Sequence, residues 1–288
     1  MKNMTTTMSK TIGRLALEAV LVEVSVTPKP GLVDRNNSGA HDDMDFLTFM
    51  KSAAALRSCF EECAHVAGYF TLAHKTLFPE LRRIGLETEA AMFEATGGIN
   101  THKGEIFSLG ILSGCAGLLA ASNEPLEAER ILNLASGVYG EFFHLDFMRT
   151  KAKSPELLTK GERAWLAHGI TGARGQAEAG YPIVRETGLP ALKKYLADGQ
   201  DLNDALAFTL LHIMAVNFDT NIISRHNLAT VQEVMSTSRR LVDEGLSIPK
   251  IASLDEEFTA RNVSPSGSAD LLAVTYFIHA LTQSSPNS

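Results

Sequence analysis

Apolar residues recur at three- and four-residue steps over most of this chain, and that periodicity restricts it to packed helices. From Met44 onward, Phe46, Phe49, Met50, Ala53, Leu56, Phe60, Ala64 and Ala67 form one stripe. Comparable stripes run from Ile12 to Val26, Leu126 to Met148, Leu202 to Val216 and Leu271 to Leu281. The first of these patterns predicts one helix from Met44 to Ala67, capped by Asp42 or Asp43 and carrying Asp45 in its first turn. Thr159 and Glu162 have the spacing of a capping box. Several runs of alternating β-branched residues bounded by turns, the signature of a sheet, are not found. The chain therefore reads as all-α: one compact domain over residues 1–288, of roughly ten helices at the usual length of about 11–12 residues. Residues 1–10 and 283–288 are expected to fray.

Hydrophobic residues make up 45% of the chain, enough for a large core, and the net charge of -7 disfavours non-specific nucleic-acid binding. A nucleotide substrate would need local cations or a metal ion to hold it against that field. The N-terminal stretch from Met1 to Lys10 has no apolar region of the signal-peptide kind. The most apolar run, Ile106 to Ala121, is short for a membrane span and contains Gly110, Gly114 and Gly117, so it is expected to be a tightly packed core helix. No membrane association is expected, and the protein is read as cytoplasmic. Cys59, Cys63 and Cys115 are read as small buried hydrophobes in a reducing compartment, with a metal pair involving His65 as the alternative.

Five polar segments interrupt the helical pattern. The first, residues 27–42, crowds Lys29, Asp34, Arg35 and His41 between two prolines and two glycines. The second, Gly97-Gly98-Ile99-Asn100-Thr101-His102-Lys103-Gly104-Glu105, leads into the apolar helix. Free backbone N–H groups there, beside Lys103, suit an anion, although Asn100 or Thr101 could simply cap the helix. It is not a P-loop, because Gly104 stands where that motif has Ser or Thr and no strand precedes it. The third, residues 171–182, places Arg174 and Glu178 one helical turn apart as an ion pair, among small residues that permit close approach by a helix or ligand. In the fourth, Asp219-Thr220-Asn221 precedes Ser224-Arg225-His226, and Asp219 reads either as an N-cap or as a magnesium ligand. In the fifth, residues 261–270, Ser266 or Ser268 could cap the last helix.

Taken in order, these segments resemble the triphosphoribosyl-dephospho-coenzyme A synthase family. The likeness is carried by Pro28-Lys29-Pro30-Gly31-Leu32-Val33-Asp34-Arg35, Asn100-Thr101-His102-Lys103-Gly104, Gly172-Ala173-Arg174-Gly175-Gln176-Ala177-Glu178-Ala179-Gly180-Tyr181-Pro182, Asp219-Thr220-Asn221, and Ser264-Pro265-Ser266-Gly267-Ser268-Ala269-Asp270. It runs from about residue 15 to the last helix. The resemblance implies an all-α transferase that uses ATP and Mg²⁺, with 3'-dephospho-coenzyme A as acceptor. Its implied product is the precursor of the citrate lyase prosthetic group, handed on to an enzyme that modifies an acyl carrier protein; relatives serve malonate decarboxylase. Phe218, His226-Asn227 and Ser266 depart from the family's usual glycines, so the loop after Asp219 is a point of interest.

The implied chemistry exchanges one glycosidic bond for another through an oxocarbenium-like transition state. The resemblance then suggests Lys29, Arg35, Lys103, Arg174 and Arg225 for the triphosphate and Asp34 with Asp219 for Mg²⁺. Glu105 or Glu178 would accept the hydroxyl proton, His102 or His41 would protonate the departing adenine, and Asn100 and Asn221 would orient sugar hydroxyls. Two other readings compete: a Mg²⁺-dependent nucleosidase or ADP-ribosyl hydrolase, and a non-catalytic helical binding protein. A chain this apolar could also form a homodimer.

Overall fold

The computed structural model describes residues 2–70 and 76–284. Among them are fourteen α-helices and no strand. They are α1 (Lys2–Ser25), α2 (Phe46–Ala55), α3 (Cys59–Ala67), α4 (Leu77–Thr96), α5 (Lys103–Ala121), α6 (Ala128–Ala152) and α7 (Lys160–His168). There follow α8 (Gly172–Glu178), α9 (Leu189–Ala197), α10 (Leu202–Met214), α11 (Thr220–Arg225), α12 (Leu228–Asp243), α13 (Ile248–Ala260) and α14 (Ser266–Gln283). The expected helix from Met44 to Ala67 is two helices. Asp45, not Asp42 or Asp43, caps α2 by a capping box with Thr48, and the chain turns between Leu56 and Ser58 before α3. The apolar stripe continues across that turn because both helices face the same core, which hid the break from a periodicity argument. The Thr159–Glu162 capping box forms as expected.

The N-terminal decade, expected to fray, is helical from Lys2, with Ser9 buried and Met8 packed on the core. At the other end α14 reaches Gln283, and the remainder of the expected fray, from residue 285, lies outside the described residues.

One apolar core takes residues from Ile12 to Leu281. At its centre lies α5, packed by α1, α3, α4, α6 and α14. This helix is long and apolar enough to cross a membrane, with a mean hydropathy of 1.6, but 78% of that span is buried by its neighbours. Gly117 makes the close contact with α3 possible: a Cβ there would lie 2.2 Å from the Ala64 carbonyl oxygen. Cys59, Cys63 and Cys115 are free and buried in this core, as expected of small apolar side chains. A smaller apolar cluster, Val24, Val33 and Met44 with Phe46, Phe49, Met50 and Ile99, lies beneath the long loop that joins α1 to α2. That loop is fastened at its far side, where Gly31 N–H and the Asn37 side chain donate to the Asp255 carboxylate of α13.

Candidate active site

A cavity of about 500 Å³ opens where the α1–α2 loop, the start of α5, the start of α8, α11 and the start of α14 meet, within the roughly 300–1,000 Å³ common for small-molecule sites. Five segments far apart in sequence thus reach one place. Of the residues suggested for the site by the sequence, Lys29, His41, Asn100, Lys103, Glu105, Asn221 and Arg225 line it. Its other charged lining groups, Glu23, Asp43 and Asp270, were given no site role from the sequence. Glu23 reads as an ordinary helix-surface acid within the α1 stripe and Asp270 as a helix-start acid. Only the packing of α1 and α14 against α5 turns them inward.

The inner part of the cavity is acidic. Lys29, 1% exposed, places Nζ 2.5 Å from Glu23 Oε1, itself 3% exposed. Glu105 is 2% exposed, and neither carboxylate oxygen has a hydrogen-bond partner among the described residues. Burial, reinforced by the negative charges of Glu23 and Asp270 and partly opposed by Lys29, holds the Glu105 carboxyl well above the ordinary carboxylate range. Asp270 is pushed the same way by burial and by Asp219 and Glu23. Its carboxylate rests on the first turn of α5: a Cβ on Gly104 would lie 1.9 Å from Asp270 Oδ2, so only glycine admits the contact. The anion-accepting helix start expected at residues 97–105 is therefore already approached by one of the protein's own carboxylates. Lys103 points outward from the same turn and pairs with Glu89 at 2.7 Å.

The rim is basic and hydrogen-bonded. Arg225 donates to the Ala40 carbonyl and to His41 Nδ1, each at 3.2 Å, which leaves His41 Nε2–H to donate to Ser264 Oγ at 2.9 Å. Burial first, then the Arg225 charge, lowers the His41 pKa to about 4. His102, wholly buried behind the lining, is lowered by burial and by Lys29 to about 3. The lowered pKa values favour the neutral form of both imidazoles near pH 7, which argues against the adenine-protonating role suggested for them. They can still donate a hydrogen bond.

Asp219 sits behind the lining, 2% exposed, with its pKa raised by burial against the pull of its hydrogen bonds. Its Oδ1 accepts from Asn221 N–H and caps α11, and its Oδ2 accepts from Ser268 N–H at 2.9 Å and from Ser268 Oγ–H. Neither Ser266 nor Ser268 caps α14 through its side chain; a carboxylate from another segment does so. This explains why Asp219 and the Ser266–Asp270 stretch occur together in the sequence pattern. Next to it, His226 Nε2–H donates to the Asn262 carbonyl and Asn227 caps α12. His226 and Asn227 thus fasten the loop after α11 to its neighbours.

Four expected site residues lie elsewhere. Asp34 accepts backbone N–H groups from Lys29, Asn36 and Asn37, which shapes its own loop, and it is absent from the cavity lining. Arg35 is exposed and bonds Thr27 and Asn203. Arg174 turns away from Glu178 to meet Glu162 at 3.5 Å over the Trp165 ring, while its neighbour Ala173 lines the cavity. Glu178 offers its carbonyl, not its carboxylate, to Ser136 Oγ. Periodicity and spacing say that a polar residue is near a site but not which way it points.

An all-helical fold enclosing a cavity with an unpartnered buried carboxyl, Glu105, and a basic rim is the arrangement of a small-molecule enzyme site more than of a structural bundle. The chain belongs to the ATP:dephospho-CoA triphosphoribosyl transferase family, whose profile it matches over residues 9–288, and it is a transferase. It is 40% identical over 277 residues to the 2-(5''-triphosphoribosyl)-3'-dephosphocoenzyme-A synthase of Escherichia fergusonii, covering 94% of this chain and 90% of the relative. It is 41% identical over 275 residues to the synthase of the same name from Klebsiella pneumoniae, covering 91% and 88%. A probable synthase of Photobacterium profundum is 38% identical over 283 residues, covering 96% and 89%. No solved structure matches the chain.

Proposed function

We propose that this chain transfers the 5-triphosphoribosyl group of ATP to the ribose 2'-hydroxyl of 3'-dephospho-coenzyme A, releases adenine, and so supplies the precursor of the citrate lyase prosthetic group to an enzyme that modifies an acyl carrier protein. The reading rests on Glu105, a buried carboxyl facing the cavity with both oxygens unpartnered. Burial and the neighbouring acids hold its carboxyl above the ordinary carboxylate range, which makes its carboxylate a stronger proton acceptor. Glu105 takes the hydroxyl proton as the new glycosidic bond forms at ribose C1, and that proton balances the one gained by the departing adenine. The acidic interior favours the positive charge that develops on the sugar. Arg225 and Lys103 at the rim, with Lys29 inside, face the triphosphate, and Asn100 and Asn221 face the sugars. The reaction is proposed to run in the cytoplasm.

Magnesium fits the charge of the site. Glu23, Glu105, Asp219 and Asp270 have one buried cation among them, Lys29, and like charges there raise the Asp270 and Glu105 pKa values. No three His, Cys, Asp or Glu side chains converge as a ready-made metal site among the described residues. Mg²⁺ commonly takes one or two carboxylates and completes its shell with phosphate oxygens and water. Asp270, with Asp219 beside it, would hold the ion in place of the Asp34–Asp219 pair suggested by the sequence, and the ion would neutralise the triphosphate. Asp270→Asn is expected to raise the Mg²⁺ concentration for half-maximal activity by about tenfold or more; an unchanged Mg²⁺ titration rejects the assignment.

Incubation with ATP, Mg²⁺ and dephospho-coenzyme A is expected to yield one mole of adenine per mole of triphosphoribosylated product, measured by mass. Adenine release at the same rate without the acceptor would identify a hydrolase instead.

A further inference from the structure

Behind the cavity a chain of three hydroxyl and imidazole groups ends on Glu105. Thr101, which lines the cavity, donates Oγ1–H to Ser52 Oγ at 2.6 Å. Ser52 Oγ lies 2.6 Å from His102 Nδ1. His102 Nε2 lies 3.6 Å from Glu105 Oε2, and neither atom has a hydrogen-bond partner among the described residues. Ser52 and His102 are wholly buried. The imidazole is fixed in orientation as well as place: Phe49 packs edge-on to it at 4.9 Å and 80°, and its own backbone N–H meets Met92 Sδ at 3.3 Å.

With Thr101 as the donor to Ser52, one tautomer of His102 fits. Ser52 Oγ then accepts from Thr101, and its own proton has His102 Nδ1 at 2.6 Å as acceptor. A proton on Nδ1 would strand the buried Ser52 proton and would turn the bare Nε2 lone pair toward a carboxylate oxygen. With Nδ1 accepting, Nε2 carries the hydrogen and aims it at Glu105 Oε2. The imidazole is neutral, because burial and Lys29 keep its pKa near 3. The 3.6 Å separation is that of a pair one small movement short of a hydrogen bond, as is common before substrate binds.

We propose that Ser52 is a positioning residue: it locks His102 as the Nε2–H tautomer, and His102 then holds Glu105 Oε2 so that Oε1 is the oxygen presented to the substrate hydroxyl. This rests on the reading of Glu105 as the base. Ser52 lies on α2, outside every polar segment that marked the site in the sequence, and it touches no substrate.

The decisive measurement on the unaltered protein is ¹⁵N NMR of labelled histidine. His102 is expected to show a protonated Nε2 and a bare Nδ1 throughout pH 5–8. A protonated Nδ1 overturns the proposal, whatever the kinetics. Ser52→Ala is expected to give a mixture of tautomers and to lower kcat about tenfold or more, with KM for ATP and dephospho-coenzyme A changed less than about twofold, the pattern of a lost transition-state interaction. Ser52→Thr, which restores the hydroxyl, is expected to recover the tautomer and most of kcat. Unchanged kcat in Ser52→Ala, or a fall that Ser52→Thr fails to restore, overturns the positioning role. Full activity in Glu105→Gln would instead remove the base assignment, and the NMR result would still judge the tautomer lock by itself.

Discussion

Glu105→Gln is expected to lower kcat by about 10²–10⁴-fold, the range lost with a general base, while making the folded protein more stable at pH 8. The two effects have one origin. Glu105 is buried with unpartnered oxygens beside two other acids, and its folded pKa is raised above the ordinary value of 4.5. Such a group contributes its full stability below the unfolded pKa and loses it as pH rises through the folded one. Wild type is therefore expected to lose stability with rising pH in a way that Glu105→Gln does not. The gap in Tm should widen from pH 5 to pH 8, reaching a few degrees at roughly 2–4 °C per kcal/mol for a chain of this size. Thermal unfolding at the two pH values, with initial rates, tests both halves. A variant less stable at pH 8 than wild type would mean that the carboxylate has a stabilising partner in the native state.

Lys29→Met is expected to destabilise the protein by about 3–5 kcal/mol, the cost of leaving one member of a buried ion pair without its partner. Here the stranded group is Glu23, 3% exposed, at 2.5 Å from the lost ammonium. Adding Glu23→Gln to Lys29→Met is expected to recover most of the stability, because the uncompensated charge goes with it. It is not expected to recover activity, since Lys29 lines the cavity and its charge draws the Glu105 pKa downward. Any residual activity of Lys29→Met should have its acidic limb moved to higher pH, because Glu105 without Lys29 ionises less readily. Denaturant titrations of the single and double variants give the coupling directly. Stabilities that simply add would show that the pair is not the source of the loss.

The site was half legible in the sequence. Lys29, Asn100, Lys103, Glu105, Asn221 and Arg225 stand in or beside polar breaks in the apolar pattern, at loops and helix ends, and such places are where segments meet in space. Glu23 and Ser52 were missed because each lies within a helical stretch where a polar residue is unremarkable, and Asp270, though it ends the fifth polar segment, was given no role there. Asp34, Arg35, Arg174 and Glu178 were suggested for the site by the polar segments and the resemblance, and none of them lines the cavity. Asp34 spends its oxygens on its own loop, and Arg174 finds Glu162 nearer than any cavity group. For the histidines burial is the added factor: His41 lines the cavity and His102 backs it, and burial disfavours the proton that an exposed imidazole would share at neutral pH.

Periodicity alone determined that the chain is helical, that residues 106–121 form a core helix, and which segments interrupt the bundle, because those follow from the spacing of apolar side chains along a helix of fixed pitch. The ordered set of polar motifs determined the family. Tertiary structure decided which acids share the cavity, that Asp219 caps two helices at once, and that Ser52 reaches His102. Those outcomes depend on the distance and dielectric between segments remote in sequence, and neither quantity exists until the helices have packed.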